Sequence, residues 1–274
     1  MGEKNKKRET ISILGCGWLG LPLAEKLIAE GFSVNGSTTS TAKIPILESV
    51  GITAFLISAG EDEVHGNITD FLAESEILIL DIPPKLRGEK KEDFVVKIKN
   101  LLPYIEKSGI KKVLFVSSIS VYADENGTVT ENTTPKPNTE SGRQLLEVEK
   151  MLQNNPNFKA TVLRFGGLIG ANRNPVKYLA GKENLENPDA PINMIHLEDC
   201  IGIILRIIEK HSFGEIFNAV SPFHPSRSEF YIGKATEMNL ALLTFASDKS
   251  SVGKLVSSEK IEKVLKYSFI KSKL

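Results

Sequence analysis

Three glycines mark the first place where this chain could do chemistry: Gly15, Gly17 and Gly20, in the run Gly15-Cys16-Gly17-Trp18-Leu19-Gly20. Glycines at this spacing let a chain turn sharply, let a bound group approach bare backbone, and let a helix pack closely on a strand. The run Thr10–Leu14 before them reads as a β-strand. Leu19–Glu30 after them reads as a helix, with Leu19, Leu23, Leu27 and Ile28 on one face. In that order, strand, turn and helix make an anion site, because a diphosphate can sit on the N–H groups and positive end of the helix. The expectation is a dinucleotide cradle formed by Gly15, Gly17, Trp18, Leu19 and Gly20.

The end of the second strand, Phe32–Gly36, decides which dinucleotide fits. An Asp or Glu at that end would take the ribose hydroxyls of NAD. Between Val34 and Ser40 the chain carries no acid; it offers Ser37, Thr38 and Thr39, with Lys43 close behind. Hydroxyls and a lysine suit a 2′-phosphate, so NADP is the expected cofactor and NAD the alternative.

These residues need a scaffold, and the rest of the first half supplies one. Thr53–Ile57, Ile77–Leu80, Lys112–Val116 and Ala160–Arg164 read as further strands, with helices at Glu92–Lys107 and Glu140–Leu152 between them. The first of these helices carries Phe94, Val95, Ile98, Leu101, Leu102 and Ile105 at helical spacing. Alternation of this kind implies right-handed crossovers and an α/β Rossmann fold, a doubly wound parallel sheet with helices on both faces. Past Arg164 the rhythm loosens. Asn172–Pro191 reads as loop, Asp199–Lys210 as helix, Glu215–Ala219 as a short strand, and Ser226–Met238 and Ser258–Leu265 as helices. The expected division is a dinucleotide-binding domain over 1–165 and a small C-terminal substrate lobe over 166–274, partly interleaved with it.

Composition narrows the function classes. Lys+Arg and Asp+Glu balance at 34 each, which gives no electrostatic basis for binding nucleic acid or an anionic membrane. The basic start from Lys4 to Arg8 reads as a solvated tail. No apolar run is long enough to span a bilayer and no signal-type segment follows Met1, so a cytoplasmic location is expected. The two cysteines, Cys16 and Cys200, lie far apart, and the four histidines are scattered, so no metal site is expected. A small-molecule substrate is the expected partner, and a homodimer is compatible with the sequence.

Several later segments together resemble the extended short-chain dehydrogenase/reductases, the NAD(P)-dependent epimerases and dehydratases of sugar nucleotides, over nearly the whole chain. Val116-Ser117-Ser118-Ile119-Ser120-Val121-Tyr122 is similar to the family's fifth-strand motif, in which the hydroxyl at Ser118 would assist catalysis and Ser117 would lie with the cofactor residues. Thr130-Glu131 with Pro135 and Pro137, Leu163-Arg164-Phe165-Gly166-Gly167-Leu168-Ile169-Gly170 and Asn193-Met194-Ile195-His196-Leu197-Glu198-Asp199 resemble three further family segments.

The resemblance also exposes a departure. The family's reactive pair is a Tyr followed four residues later by a Lys. Alignment on Gly142-Arg143 puts Ser141 at the first position and Leu145 at the second. Residues four apart share a helix face, but serine is far less acidic than a phenol, and leucine brings no charge to lower a proton's affinity. Gly167 stands where sugar-nucleotide epimerases commonly carry a substrate-contacting Asn. Tyr122 reads as a packed aromatic, Arg143 lies one position off the relevant face, and His196 reads as structural. Two readings follow: an oxidoreductase or epimerase with a non-standard site at Ser118 and Ser141, acting on a small polar or sugar-nucleotide-like substrate, or a non-catalytic NADP(H)-binding sensor or scaffold.

Overall fold

The sheet forms first in the chain's logic, because its central strands carry apolar stretches such as Ile77–Leu80 and Val113–Val116. In the computed structural model, which describes residues 9–84, 92–170, 172–247 and 250–273, the strands are β1 (Thr10–Leu14), β2 (Ser33–Thr38), β3 (Thr53–Leu56), β4 (Ser75–Leu80), β5 (Lys112–Ser118), β6 (Lys159–Phe165) and β7 (Ile216–Ala219). The basic stretch Lys4 to Arg8 lies outside the described residues. The seven strands make one sheet of order β7-β6-β5-β4-β1-β2-β3. The pairs β1–β2, β1–β4, β2–β3 and β4–β5 are parallel. The main helices are α1 (Gly20–Ala29), α2 (Ile44–Ser49), α3 (Ile68–Leu72), α4 (Phe94–Ser108), α5 (Glu140–Gln153), α6 (Leu197–Glu209) and α7 (Arg227–Glu237), the last of which packs on the short helix Val176–Leu179. This is the doubly wound α/β architecture expected from the alternation of elements.

Local chemistry sets the helix ends. Asp93 accepts the Val96 N–H (3.0 Å) to start α4, and Gly109 ends it at φ 82°, a conformation costly for residues with a Cβ. A reciprocal capping box of Ser226 and Glu229 starts α7.

Contacts divide the chain into two units. One comprises residues 1–117, 143–163 and 207–215; the other comprises 118–142, 164–206 and 216–274. The core of the first is built from Ile11, Ile13, Leu23, Leu27, Ile79 and Leu114, all fully buried. Serine also enters it without penalty: Ser12 donates to the Phe71 carbonyl at 2.6 Å, so its hydroxyl is satisfied. A separate apolar cluster in the second unit gathers Val176, Ile192, Met194, Phe230, Tyr231, Ala235 and Leu243.

The second unit holds elements that the sequence pattern does not reveal. Gly127–Val129 pairs with Lys254–Val256, and Gly167–Ile169 with Met194–His196, both in parallel. The stretch 172–191, expected as loop, contains the short helix Val176–Leu179. The last expected helix, Ser258–Leu265, is present from Glu259 and takes wider π geometry over Ile261–Leu265. Among the described residues no helix is long and apolar enough to cross a membrane.

Candidate functional site

The glycine turn between β1 and α1 separates into two kinds of position. Gly15 has φ +111°, and a Cβ built on it would lie 2.3 Å from the Asp81 carbonyl oxygen. A Cβ on Gly20 would lie 2.2 Å from the Gly15 carbonyl oxygen. Both glycines are therefore required by the turn itself. Gly17 differs: nothing lies within 4 Å of the Cβ it lacks. Its open side faces a cavity of about 190 Å³ that is also lined by Thr38, Thr39 and Lys43 after β2, Ser58 after β3, Asp81 after β4, and Lys97 of α4.

Hydroxyls hold this cradle in shape. Ser37, nearly fully buried, accepts the Gly15 N–H on its side chain at 2.9 Å and the Cys16 N–H on its carbonyl at 2.8 Å. Thr38 accepts the Ser40 N–H at 3.1 Å, fixing the bend that leads toward Lys43. Gly36 makes room for the Cys16 side chain, since a Cβ there would fall 2.7 Å from its Sγ. Burial, reinforced by the Asp81 carboxylate, pushes the Cys16 thiol up to about 12. Cys16 therefore stays a thiol and packs as a small apolar group.

A dinucleotide fits this cradle. The bare Gly17 backbone admits a diphosphate, and α1 begins immediately beyond it, with Leu21 the residue that donates back to the Gly17 carbonyl at 3.2 Å. Gly15, Gly17, Ser37, Thr38 and Thr39 all line the cavity. Trp18 is half-buried and the Leu19 side chain is buried in the core. Ser117 is likewise buried, and its hydroxyl donates to Glu149 Oε1 at 2.5 Å. Lys97 and Asp81 are cavity residues that the sequence reading missed. For Lys97 a signal existed: it lies three residues after Phe94 and four before Leu101, on the face assigned to the core.

In the second unit, Ser118 opens the turn Ile119–Val121 and accepts the Ser120 N–H at 3.1 Å. The start of α5 rests on that turn, because the missing Cβ of Gly142 would lie 2.2 Å from the Ser120 carbonyl oxygen. Thr139 accepts the Gly142 N–H at 3.1 Å and caps the same helix. Ser141, half-buried in this first helical turn, is thereby brought to the segment that Ser118 begins. One turn along α5, Leu145 is only 3% exposed.

Tyr122 is bound into structure. The Arg164 guanidinium donates to its oxygen at 2.6 Å and stands 5.0 Å from the ring centre, while the phenol lies 3.0 Å from Asn218 Oδ1 and 3.1 Å from the Thr130 carbonyl. Burial raises its pKa, although the Arg164 charge opposes the shift. A phenol so placed is a poor proton donor at neutral pH. His196 accepts the Glu198 N–H at 3.2 Å and so helps to start α6. Arg143 is exposed on α5. Among the described residues no group of His, Cys, Asp and Glu could hold a metal ion.

Comparison with known proteins places this geometry. The model of the family described as NAD dependent epimerase/dehydratase matches residues 90–221. Protein YeeZ of Escherichia coli (strain K12) is 34% identical over 253 residues, covering 92% of each chain. A Methylobacillus flagellatus protein assigned as an NAD-dependent epimerase/dehydratase superposes with a TM-score of 0.77 at 26% identity, over 97% of this chain and 94% of that one. UDP-glucuronic acid 4-epimerase from Bacillus cereus, solved in complex with NAD, has the same fold, with a TM-score of 0.78 at 17% identity over 95% and 94% of the two chains.

Proposed function

This chain belongs to the NAD-dependent epimerase/dehydratase family, and from that membership we propose that it is an NADP(H)-linked oxidoreductase or epimerase acting on a small polar substrate through a non-standard site at Ser118 and Ser141. The observation that carries the cofactor choice is the end of β2. Thr38, Thr39 and Lys43 line the cavity, and no carboxylate stands between Val34 and Ser40 to claim the ribose hydroxyls. A lysine and two hydroxyls complement a 2′-phosphate, which carries charge that a bare ribose lacks.

A bound nicotinamide supplies a hydride donor or acceptor. The chain's own part is to hold the substrate oxygen and manage its proton. Ser118 accepts a backbone N–H and so keeps its own hydroxyl proton available to donate. Ser141, in the first turn of α5, adds a second hydroxyl. Neither serine has the acidity of a phenol beside an ammonium, so turnover is expected to be slow.

Burial of Leu145 favours a second reading, a non-catalytic NADP(H) sensor or scaffold, because the position that carries an ammonium in related enzymes is hydrocarbon here. Thermal melting with each cofactor tests the binding proposal. NADP(H) should raise the melting temperature more than NAD(H) at equal concentration, since ligand binding to the native state stabilises it by mass action. A larger shift with NAD(H) overturns the preference. NADPH consumption with sugar nucleotides and simple carbonyls then separates the two readings: slow turnover lost on Ser118→Ala supports the enzyme, and none with any substrate supports the sensor.

A further inference from the structure

Among the described residues two lysines line the cavity, and they stand on opposite sides of the glycine turn. Lys43 follows β2, whereas Lys97 lies on α4 and meets the cavity together with Asp81, the residue after β4. In the sheet β1 is flanked by β2 on one side and β4 on the other. A dinucleotide lying across the carboxyl ends of these strands puts its adenosine half over β2 and its nicotinamide half toward β4. The two lysines therefore face different halves of the same ligand.

Lys97 is unusual for a lysine. Its side chain is only 8% exposed, and its ammonium is paired with Glu92, whose side chain is 32% exposed. Buried ammonium groups are costly and persist where a partner compensates them. The adjoining wall also carries the Asp81 carboxylate, whose Oδ2 would stand 3.2 Å from a Cβ on Gly20. A diphosphate entering beside that carboxylate meets like charge and needs a cation close by. Among the described residues, Lys97 is the lysine that lines that side of the cavity.

We propose that Lys97 binds the diphosphate on the nicotinamide side, exchanging its ion pair with Glu92 for a phosphate oxygen, while Lys43, beside Thr38 and Thr39, supplies the charge that recognises the 2′-phosphate. This assignment rests on the cavity being the dinucleotide site. It divides affinity from selectivity: Lys97 serves NADP and NAD alike, and Lys43 distinguishes them. Glu92 becomes a competitor of the ligand, so neutralising it should strengthen binding.

Titration calorimetry with NADP⁺, NAD⁺ and 2′-AMP, on the unmodified protein and three variants, tests the division. Lys97→Gln should weaken NADP⁺ and NAD⁺ by the same factor, about 10- to 100-fold as for a charge-assisted hydrogen bond, and leave 2′-AMP unchanged. Lys43→Ala should weaken NADP⁺ and 2′-AMP and leave NAD⁺ unchanged. Glu92→Gln, whose amide oxygen can still accept a hydrogen bond from the Lys97 ammonium, should tighten both dinucleotides severalfold, and it serves as the readout if Lys97→Gln does not fold. Unchanged dinucleotide affinity in folded Lys97→Gln overturns the assignment, as does a loss that extends to 2′-AMP, or unchanged or weakened binding in Glu92→Gln. If the unmodified protein binds neither dinucleotide, the cofactor reading falls and this one with it. If it binds both but shows no turnover, only the catalytic reading falls.

Discussion

The glycine turn of the first unit and the start of α5 in the second differ in what their function demands of the sequence. The turn works through backbone: Gly15 and Gly20 are fixed by contacts under 2.5 Å that any side chain would violate, and Gly17 presents main chain to open space. Drift at these positions damages the fold or fills the cavity. At α5, family chemistry needs two particular side chains on one helical face, and nothing in the packing enforces them. Ser141 and Leu145 sit in a well-capped helix, with Leu145 contributing to the core as an apolar residue should. A cradle built from backbone is therefore held by the fold itself, whereas a reactive pair built from side chains is not.

That contrast can be broken most decisively at Gly17. Gly17→Asp places a carboxylate in the open side of the cavity, and a like-charge contact near 4 Å costs about 4 kcal/mol at the effective dielectric of a protein surface. Dinucleotide affinity should fall by about three orders of magnitude, with the melting temperature nearly unchanged. Gly20→Ala should do the reverse and destabilise the fold by about 3 kcal/mol through overpacking, which chemical denaturation would register. Equal behaviour of the two variants would mean that the two glycines do not have separate roles.

The next largest effect concerns α5. Ser141→Tyr combined with Leu145→Lys places a phenol and an ammonium one helical turn apart, and acid–base assistance of this kind is worth about 100-fold or more in rate. Neither single change should suffice, because the phenol needs the cation and the cation alone relays no proton. Circular dichroism should show some loss of stability, since residue 145 is buried. NADPH oxidation by the double variant no faster than by the parent would show that more than this pair has been lost.

Two smaller tests sharpen the boundary between structure and chemistry. Tyr122→Phe removes a hydroxyl that contacts Arg164, Asn218 and Thr130, leaving buried polar groups unsatisfied at a cost of about 2 kcal/mol. Its dinucleotide affinity should stay unchanged, and a loss of turnover in excess of the loss of folded protein would make Tyr122 a reacting group. Ser37→Ala deprives the Gly15 N–H of its acceptor and should weaken both NADP⁺ and NAD⁺ by about fivefold, the equivalent of about 1 kcal/mol. A selective loss of NADP⁺ would instead place Ser37 on the 2′-phosphate.

Legibility in the sequence followed the same division. The sheet and the glycine turn could be read because apolar alternation and glycine spacing are local, and both follow from backbone constraints. The expected boundaries of α7, Ser226 to Met238, fall on its cap residues because the capping box is itself a local signal. The pairing of Gly127–Val129 with Lys254–Val256 joins segments more than a hundred residues apart, each only three residues long, too short for any period. The hairpin of Ser58–Ala59 with Val64–His65 is shorter still. Lys97 is hard to pick out in the sequence because a lysine in an amphipathic helix ordinarily faces solvent, although its place between Phe94 and Leu101 sets it on the inner face. That Ser117 binds Glu149 could be learned only from the packing of α5 on β5.

The carboxylate of Asp199 bears on how the second unit is made. Fully buried near the start of α6, it accepts the Tyr267 hydroxyl at 2.8 Å and the N–H groups of Ile270 and Lys271 at 2.7 and 3.0 Å, from residues 68 to 72 positions later. During synthesis the acid leaves the ribosome long before those donors do. Until they arrive, closing the structure would bury a charge without these three hydrogen bonds, which is strongly unfavourable. α6 must therefore wait, hydrated at its first turn, while the first unit's early strands can already pair. The second unit is expected to close last, and a chain cut short before Tyr267 should stall with this acid in water, where proteases that survey unfinished proteins can reach it.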